Sequence, residues 1–559
     1  DVYRPLGDLP VPTIVQRLPY GKEAGLQLAE IGQWVRAGYA VVIQDTRGRF
    51  ASEGTFRPFV DEREDGEDTL TWLAGRDWCD GAIGMVGGSY HGATQWMAAA
   101  TGHDALRAIA PSFTSSSYYE GWTYQGGAFQ LGFVLCWTLS VLAIAELRKR
   151  VAAGDATEAD LAELIESVDG LGEIYRRLPL VDAPVPRHLA PYYFDWLARP
   201  TEDDGWRSTA PRERYDRVAV PNLNIGGWYD CFLGGTLANY TGMKDRGGSE
   251  VARRPRLIVG PWAHGAQTGE FPEASFGTMA NADVFSLAGR QIRFFDRHVR
   301  GIENGVDDEA PVTLFIMGAD VWRSEESWPL PDTRFVPYYL HSDGRAALAP
   351  EDGTLSVDPP VDEQPDLFVY DPHDPVPTIG GQTCLPGLRI GANAGPRDQR
   401  AIERRPDVCC YTTPVLERDT EVTGPVALTL YASSSARDTD FTGKLVDVHP
   451  DGRAMILTEG ILRARHRSST TSAELLEPGE VYELTIDLWA TANVFKAGHR
   501  IRLEVSSSNF PRFDRNLNTG EVGAGGRESR LIAAENRIHH DARHPSHVVL
   551  PLIERESAV

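Results

Sequence analysis

Gly84-Met85-Val86-Gly87-Gly88-Ser89-Tyr90-His91-Gly92 is an apolar run that enters glycines, passes one serine and continues into helix formers. Such a passage reads as a strand, a sharp turn and a helix, with Ser89 at the apex. A serine held there in a strained conformation tolerates only small neighbours and presents its Oγ to solvent. The helix that follows aims free N–H groups at the same spot, where negative charge is stabilised. A glycine-rich strand-to-helix turn with a capping serine has the same local pattern. His91 occupies the place of the second glycine of G-x-S-x-G, which is displaced here to Gly92.

Around this turn, short apolar runs alternate with helix-like segments: Tyr39 to Gln44, Asp68 to Ala74, Ala82 to Val86 and Gly92 to Ala100. This is the βαβ rhythm of a parallel sheet. It stops after Ile109-Ala110-Pro111 and resumes at Asn222 to Ile225 and Arg256 to Val259, with a helix around Phe285 to His298. The intervening segment is helical by periodicity, since Thr157 caps a helix whose Leu161, Leu164, Ile165 and Val168 share a face. From about Asp332 the pattern alternates with period two, as in Val426 to Tyr431, Val481 to Leu488 and Ile501 to Val505, which predicts a β-sandwich. The expected division is 1–114, first part of the α/β core; 115–212, helical insert or lid; 213–331, second part of the core; and 332–559, β-sandwich.

A serine hydroxyl is a weak nucleophile at neutral pH, so Ser89 needs a histidine base oriented by a carboxylate. In this kind of sheet the order is Ser, Asp or Glu, then His, each at the carboxyl end of a strand. Asn222 to Ile225 runs out into Gly226-Gly227-Trp228-Tyr229-Asp230, and Arg256 to Val259 into Gly260-Pro261-Trp262-Ala263-His264. Asp230 and His264 are therefore the candidate acid and base. His91 lies two residues along a helix from Ser89 and should point elsewhere.

The bulk properties agree with a folded, multidomain chain. Its 559 residues exceed what one core organises, and 42% hydrophobic and 24% charged residues are ordinary globular values. A formal net charge of -24 repels phosphate backbones and anionic membrane surfaces, which argues against nucleic acid or membrane as partner. The six cysteines show no CxxC pair, and His539, His540, His544 and His547 lack a metal-ligand spacing, so no metal or cofactor is expected. Gly121 to Ala145 holds no charge, but only Leu131 to Ala145 is dominated by apolar side chains, shorter than a span; it predicts a buried helix. With no leader pattern after Asp1, a cytoplasmic location is the expectation.

The motifs Leu18-Pro19-Tyr20-Gly21-Lys22, Gln44-Asp45-Thr46-Arg47-Gly48, the Gly87 to Gly92 turn, Gly227-Trp228-Tyr229-Asp230, Gly260-Pro261-Trp262-Ala263-His264 and Ser506-Ser507-Ser508-Asn509-Phe510-Pro511 together resemble the bacterial cocaine esterase family. X-prolyl dipeptidyl peptidases and α-amino-acid ester hydrolases are its relatives. The family's turn has the form G-x-S-Y-x-G, which this chain matches. The resemblance implies an α/β-hydrolase core, an inserted helical domain and a C-terminal jelly-roll-like domain. It implies Ser89, Asp230 and His264 as the triad, with the Tyr20 hydroxyl and the Tyr90 N–H as the oxyanion hole. It also implies an acyl pocket walled by Trp122, Trp137 and Phe232, and a homodimer. The segment around Cys384 and Leu385 matches the family poorly. The Asp45-Thr46-Arg47-Gly48 turn reads as a structural ion pair and turn.

The expected function is a serine hydrolase cleaving a small-molecule carboxylic ester through an acyl-enzyme. An X-prolyl dipeptidyl peptidase or amide acylase is the nearest alternative. It would need carboxylates for an ammonium group, whereas Asp230 is followed by Cys231, Phe232 and Leu233. A carbohydrate-binding protein without catalysis is the reading from a different class.

Overall fold

Four adjacent pairs explain the sheet: Ile14 and Val15, Val41 and Val42, Met85 and Val86, Ile109 and Ala110. One member of each pair enters one hydrophobic cluster and the other member a second cluster. Successive side chains on a strand point to opposite faces, so strands that are apolar at both positions must be covered on both sides. In the computed structural model, which describes residues 1–25, 28–385, 393–521 and 530–555, helices supply the covers. Trp34 of α1 (Leu28–Arg36) and Phe294 and Phe295 of Leu287–His298 cover one face. Leu70 and Leu73 of α2 (Glu62–Ala74) and Trp96 of α3 (Tyr90–Ala99) cover the other.

The strands are β1 (Val2–Tyr3), β2 (Val11–Leu18), β3 (Ala40–Asp45), β4 (Cys79–Gly88), β5 (Leu106–Ser112), β6 (Leu223–Tyr229), β7 (Arg256–Ala263), β8 (Val312–Ile316) and β9 (Val321–Glu325). Their order is β1-β3-β2-β4-β5-β6-β7-β8-β9, parallel throughout except at β1 and β9. β5 and β6 are direct neighbours, with Ser112 opposite Ile225, so the chain leaves the sheet after β5 and returns beside it. The parallel sheet covered by helices on both faces is the α/β core expected from the sequence.

The excursion carries Leu131–Ala153, a continuous 23-residue helical run whose middle, Trp137–Ala143, is π-helical. It is longer than the apolar stretch because its C-terminal part, Ile144–Ala153, carries Glu146, Arg148, Lys149 and Arg150. Its apolar part is packed inside the protein, with 67% of the most apolar window buried. Thr157 caps Glu158–Asp169 through a reciprocal capping box with Asp160. Leu164 is buried and Leu161 and Val168 pack beside it, but Ile165 is exposed. Positions 161, 164 and 168 form the i, i+3, i+7 stripe, and Ile165, at its i+4 edge, is left exposed.

In the C-terminal half, Thr420–Ser434 pairs with Tyr482–Phe495, Ala534–Asp541 and His547–Ile553, and Asp440–Val448 pairs with Ala454–Arg463 and Arg500–Ser506. The layers meet where Gly443 faces Leu428 and Leu488; a Cβ there would lie 2.6 Å from Leu428. The strands nonetheless belong to one hydrogen-bonded network of twelve instead of two separate sheets. Thr420–Ser434 is long, and an irregular register about Pro425 lets it serve several partners. This half packs on the core at the end of β6: Gln382 Nε2 donates to the Trp228 carbonyl at 3.0 Å, and Tyr229 donates to the Ile456 carbonyl at 3.4 Å.

Candidate active site

Ser89 stands between β4 and α3 with φ 58° and ψ -127°, a left-handed conformation that costs about 1–3 kcal/mol for a residue other than glycine. Its neighbours must therefore be small. A Cβ on Gly87, itself at φ 125°, would come within 2.6 Å of His91, and one on Gly92 within 2.7 Å of Thr114. The Ser89 N–H is held by the Ser112 carbonyl of β5 at 2.9 Å, which ties the turn to the sheet.

Ser89 Oγ is 3.2 Å from His264 Nε2, and His264 Nδ1 is 2.8 Å from Asp230 Oδ1. These three residues come from the ends of β4, β6 and β7, neighbouring or near-neighbouring strands that open onto one side of the sheet. Asp230 is fully buried and His264 nearly so. Burial pulls the His264 pKa down, but the hydrogen bond and charge of Asp230 outweigh it and raise the imidazole to about 9. This arrangement can withdraw a proton from Ser89 and hold the resulting positive charge. His91 is 5.4 Å from the Tyr20 ring, and burial lowers its pKa to about 4, which keeps it neutral.

Tyr20 follows β2, and its hydroxyl lies beside the Ser89 side chain. Burial pushes that phenol up to about 12, so it stays a donor. The Tyr90 N–H is at the first position of α3, among the helical N–H groups that lack an acceptor within their own helix. Tyr20 and Tyr90, the two predicted oxyanion donors, thus both adjoin Ser89.

The aromatic residues assigned to the acyl pocket also come together. Trp122 and Phe232 stack at 4.3 Å and 8°, Trp137 meets Trp122 edge-on at 5.5 Å, and Phe232 stands at 90° to the His264 ring at 5.0 Å. Trp137 opens the π-helical turn of the insert, the kind of irregularity that re-aims a side chain at a functional site. Cys384, from the poorly matching segment, packs against this cluster and lies beside the Cys231 side chain.

Three supporting residues were not legible beforehand. Arg49 is buried and donates to the Pro19 carbonyl at 2.9 Å and the Leu142 carbonyl at 3.1 Å, pinning the loop before Tyr20 to the π-helical turn. Glu62, paired with buried Arg17, accepts from the Tyr90 hydroxyl at 2.8 Å, and that hydroxyl accepts from the Phe59 N–H at 2.9 Å. The first turn of α3 is thereby fixed from beneath. The Asp45 to Gly48 turn departs in detail from its expected ion pair: Arg47 pairs with Asp65 of α2, while Asp45 Oδ2 accepts from the Ala51 N–H at 3.3 Å. Of the four late histidines, His540 is fully buried between Glu363 and Asp366.

Residues 1–266 match the family model described as X-Pro dipeptidyl-peptidase (S15 family), and residues 304–549 match the X-Pro dipeptidyl-peptidase C-terminal non-catalytic domain. Over 561 residues the chain is 44% identical to cocaine esterase of Rhodococcus sp. (strain MB1 Bresler), covering 99% of this chain and 96% of that protein. The chain belongs to the cocaine esterase family. It is a serine ester hydrolase of the α/β-hydrolase fold, with a β-rich C-terminal domain. Solved structures share the whole fold, two of them as follows. An aminopeptidase from a marine sediment archaeon (Thaumarchaeota archaeon) is 24% identical with a TM-score of 0.81, over 99% of this chain and 93% of that one. An α-amino acid ester hydrolase is 24% identical with a TM-score of 0.78, over 99% and 94%.

Proposed function

We propose that Ser89 attacks the ester carbonyl while His264 takes its proton, and that Asp230 holds the imidazolium. The observation that carries this reading is the continuous chain of contacts from Ser89 Oγ through His264 to buried Asp230. The Tyr20 hydroxyl and the Tyr90 N–H receive the oxyanion. The alcohol leaves, and water repeats the attack on the acyl-enzyme with the same groups. The insert, about 115–212, forms the pocket wall over this centre.

The acyl group fits an apolar, planar pocket. Trp122, Trp137 and Phe232 offer flat faces, and burying one ring contributes about 2 kcal/mol or more. Cys231, Phe232 and Leu233, all buried after Asp230, give no charge to a substrate ammonium, which favours a neutral acyl group over an amino-terminal peptide. Hydrolysis of nitrophenyl acetate, butyrate and benzoate tests this, with benzoate expected to give the highest kcat/KM. Preference for X-Pro nitroanilides over every ester would overturn it.

Replacing Tyr20 by Phe removes a donor while keeping the ring. Loss of one oxyanion donor costs about 10² to 10³ in kcat, so Tyr20→Phe should lower kcat by that much with KM little changed. An unchanged kcat would remove Tyr20 from the oxyanion hole.

The pH profile follows from the raised imidazole. His264 must be neutral to accept the Ser89 proton, and its folded pKa lies above the ordinary 6.5. Activity is lost as pH falls through that value, so the acid limb of kcat/KM should sit on the alkaline side of 6.5. A limb at or below 6.5 would show that Asp230 does not hold the positive charge of the free enzyme.

A further inference from the structure

Away from the triad, Asp447, His449 and His499 gather at one end of the β half. Asp440–Val448 pairs with Arg500–Ser506, with Val448 opposite Arg500, and this register sets His449 across from His499 just beyond both strands. The turn after His449 is tight: its N–H donates to the Arg453 carbonyl at 2.8 Å, and the Gly452 N–H donates to its carbonyl at 2.9 Å. The two imidazole rings are 4.4 Å apart.

His499 Nδ1 is 2.8 Å from Asp447 Oδ1, and His449 Nε2 is 3.9 Å from Asp447 Oδ2. Among the described residues, no protein hydrogen bond reaches the His449 ring or Nε2 of His499. One donor atom from each of the three residues lies within 4.8 Å of the others.

The cluster opens into a cavity of about 460 Å³, also lined by Tyr229, Glu273, Asp320 and Lys496. The cations on its wall have partners of their own: Lys496 pairs with Asp419 and Arg453 with Asp451. The carboxylates Glu273, Asp320 and Asp447 therefore dominate its field, although Glu273 also pairs with Arg397.

We propose that Asp447, His449 and His499 form a binding site for a borderline divalent transition metal of the Zn²⁺ class, with its open position facing the cavity. Two imidazoles and a carboxylate are the donor set that such ions take, with water completing the coordination. A second cluster, His539, Asp541 and His544, is the rival. It lies on a more exposed hairpin, and each of its imidazoles has a hydrogen-bond partner, His539 Nε2 in Ser433 and His544 Nδ1 in Asp541, whereas in the first cluster only His499 does.

The test uses the full chain, stripped with a chelator, dialysed and titrated with Zn²⁺ by calorimetry beside His449→Ala, His499→Ala and Asp541→Ala. One equivalent should bind to the native protein and to Asp541→Ala, with a rise in Tm that grows with metal concentration. Binding should weaken at least about tenfold in both histidine variants, and ester hydrolysis should stay unchanged as the equivalent is taken up. No uptake by the native protein, or undiminished uptake by both histidine variants, would overturn the site. Should a histidine variant fail to fold, the native protein with Co²⁺ decides. A ligand-field spectrum without thiolate charge transfer, unaltered by Asp541→Ala, supports the site, and a thiolate band places the ion at Cys231 instead.

Discussion

Ser89→Ala is expected to lower kcat for nitrophenyl ester hydrolysis by about 10⁶-fold, the scale on which a serine triad fails when its nucleophile is removed. That corresponds to about 8 kcal/mol of lost transition-state stabilisation. The variant keeps everything else. Alanine has the same Cβ in the same strained φ, the residue 89 N–H still bonds Ser112, and Tyr90 stays anchored to Glu62. KM and Tm should therefore stay near the native values. Residual turnover of about 10³-fold over water is expected from the oxyanion hole and binding alone. The acyl-enzyme gives an independent readout, because a burst of nitrophenol should appear with the native protein and vanish with the variant. A variant that retained a tenth of native activity would exclude Ser89 as nucleophile and point to water activated directly by His264.

How much of this could be read before the structure depended on whether the signal was local. Ser89 announced itself through its glycines, because the turn must be built from residues adjacent to it. Asp230 and His264 followed from topology, since a parallel sheet delivers its chemistry at strand ends and only two later strands ended in suitable groups. Tyr20, Trp122, Trp137 and Phe232 had no such signature; aromatic residues in loops and helices are usually packing, and only the family resemblance selected them. Arg49 was invisible for a different reason. Its partners are the carbonyls of Pro19 and Leu142, the latter 93 residues away, and a carbonyl has no sequence identity. Glu62 is similar, a carboxylate on a helix that looks solvated until Arg17 and Tyr90 are found beneath it. The alternation in the C-terminal half declared strands but not their order. One long strand serving three partners is a fact of register, set by packing between the layers.

Asp230→Asn is expected to reduce kcat by about 10⁴-fold, less than loss of the nucleophile because Ser89 and the oxyanion donors remain. The amide cannot stabilise the imidazolium that forms when His264 takes the serine proton. It also offers an N–H to Nδ1, which favours the tautomer whose Nε2 already carries hydrogen and cannot accept from Ser89. The geometry makes this substitution severe, because Asp230 is fully buried and Oδ2 has no hydrogen-bond partner among the described residues. An amide nitrogen turned to that position would be unsatisfied, at a cost of about 1–3 kcal/mol, so the nitrogen is directed towards His264. The pH profile separates an electrostatic role from a structural one. With the charge gone, burial is the largest remaining influence on His264 and it acts downward, so the acid limb should move from above 6.5 to below it even as the plateau collapses. An Asp230 that served only to pack the end of β6 would, on substitution, lower Tm and leave the limb in place.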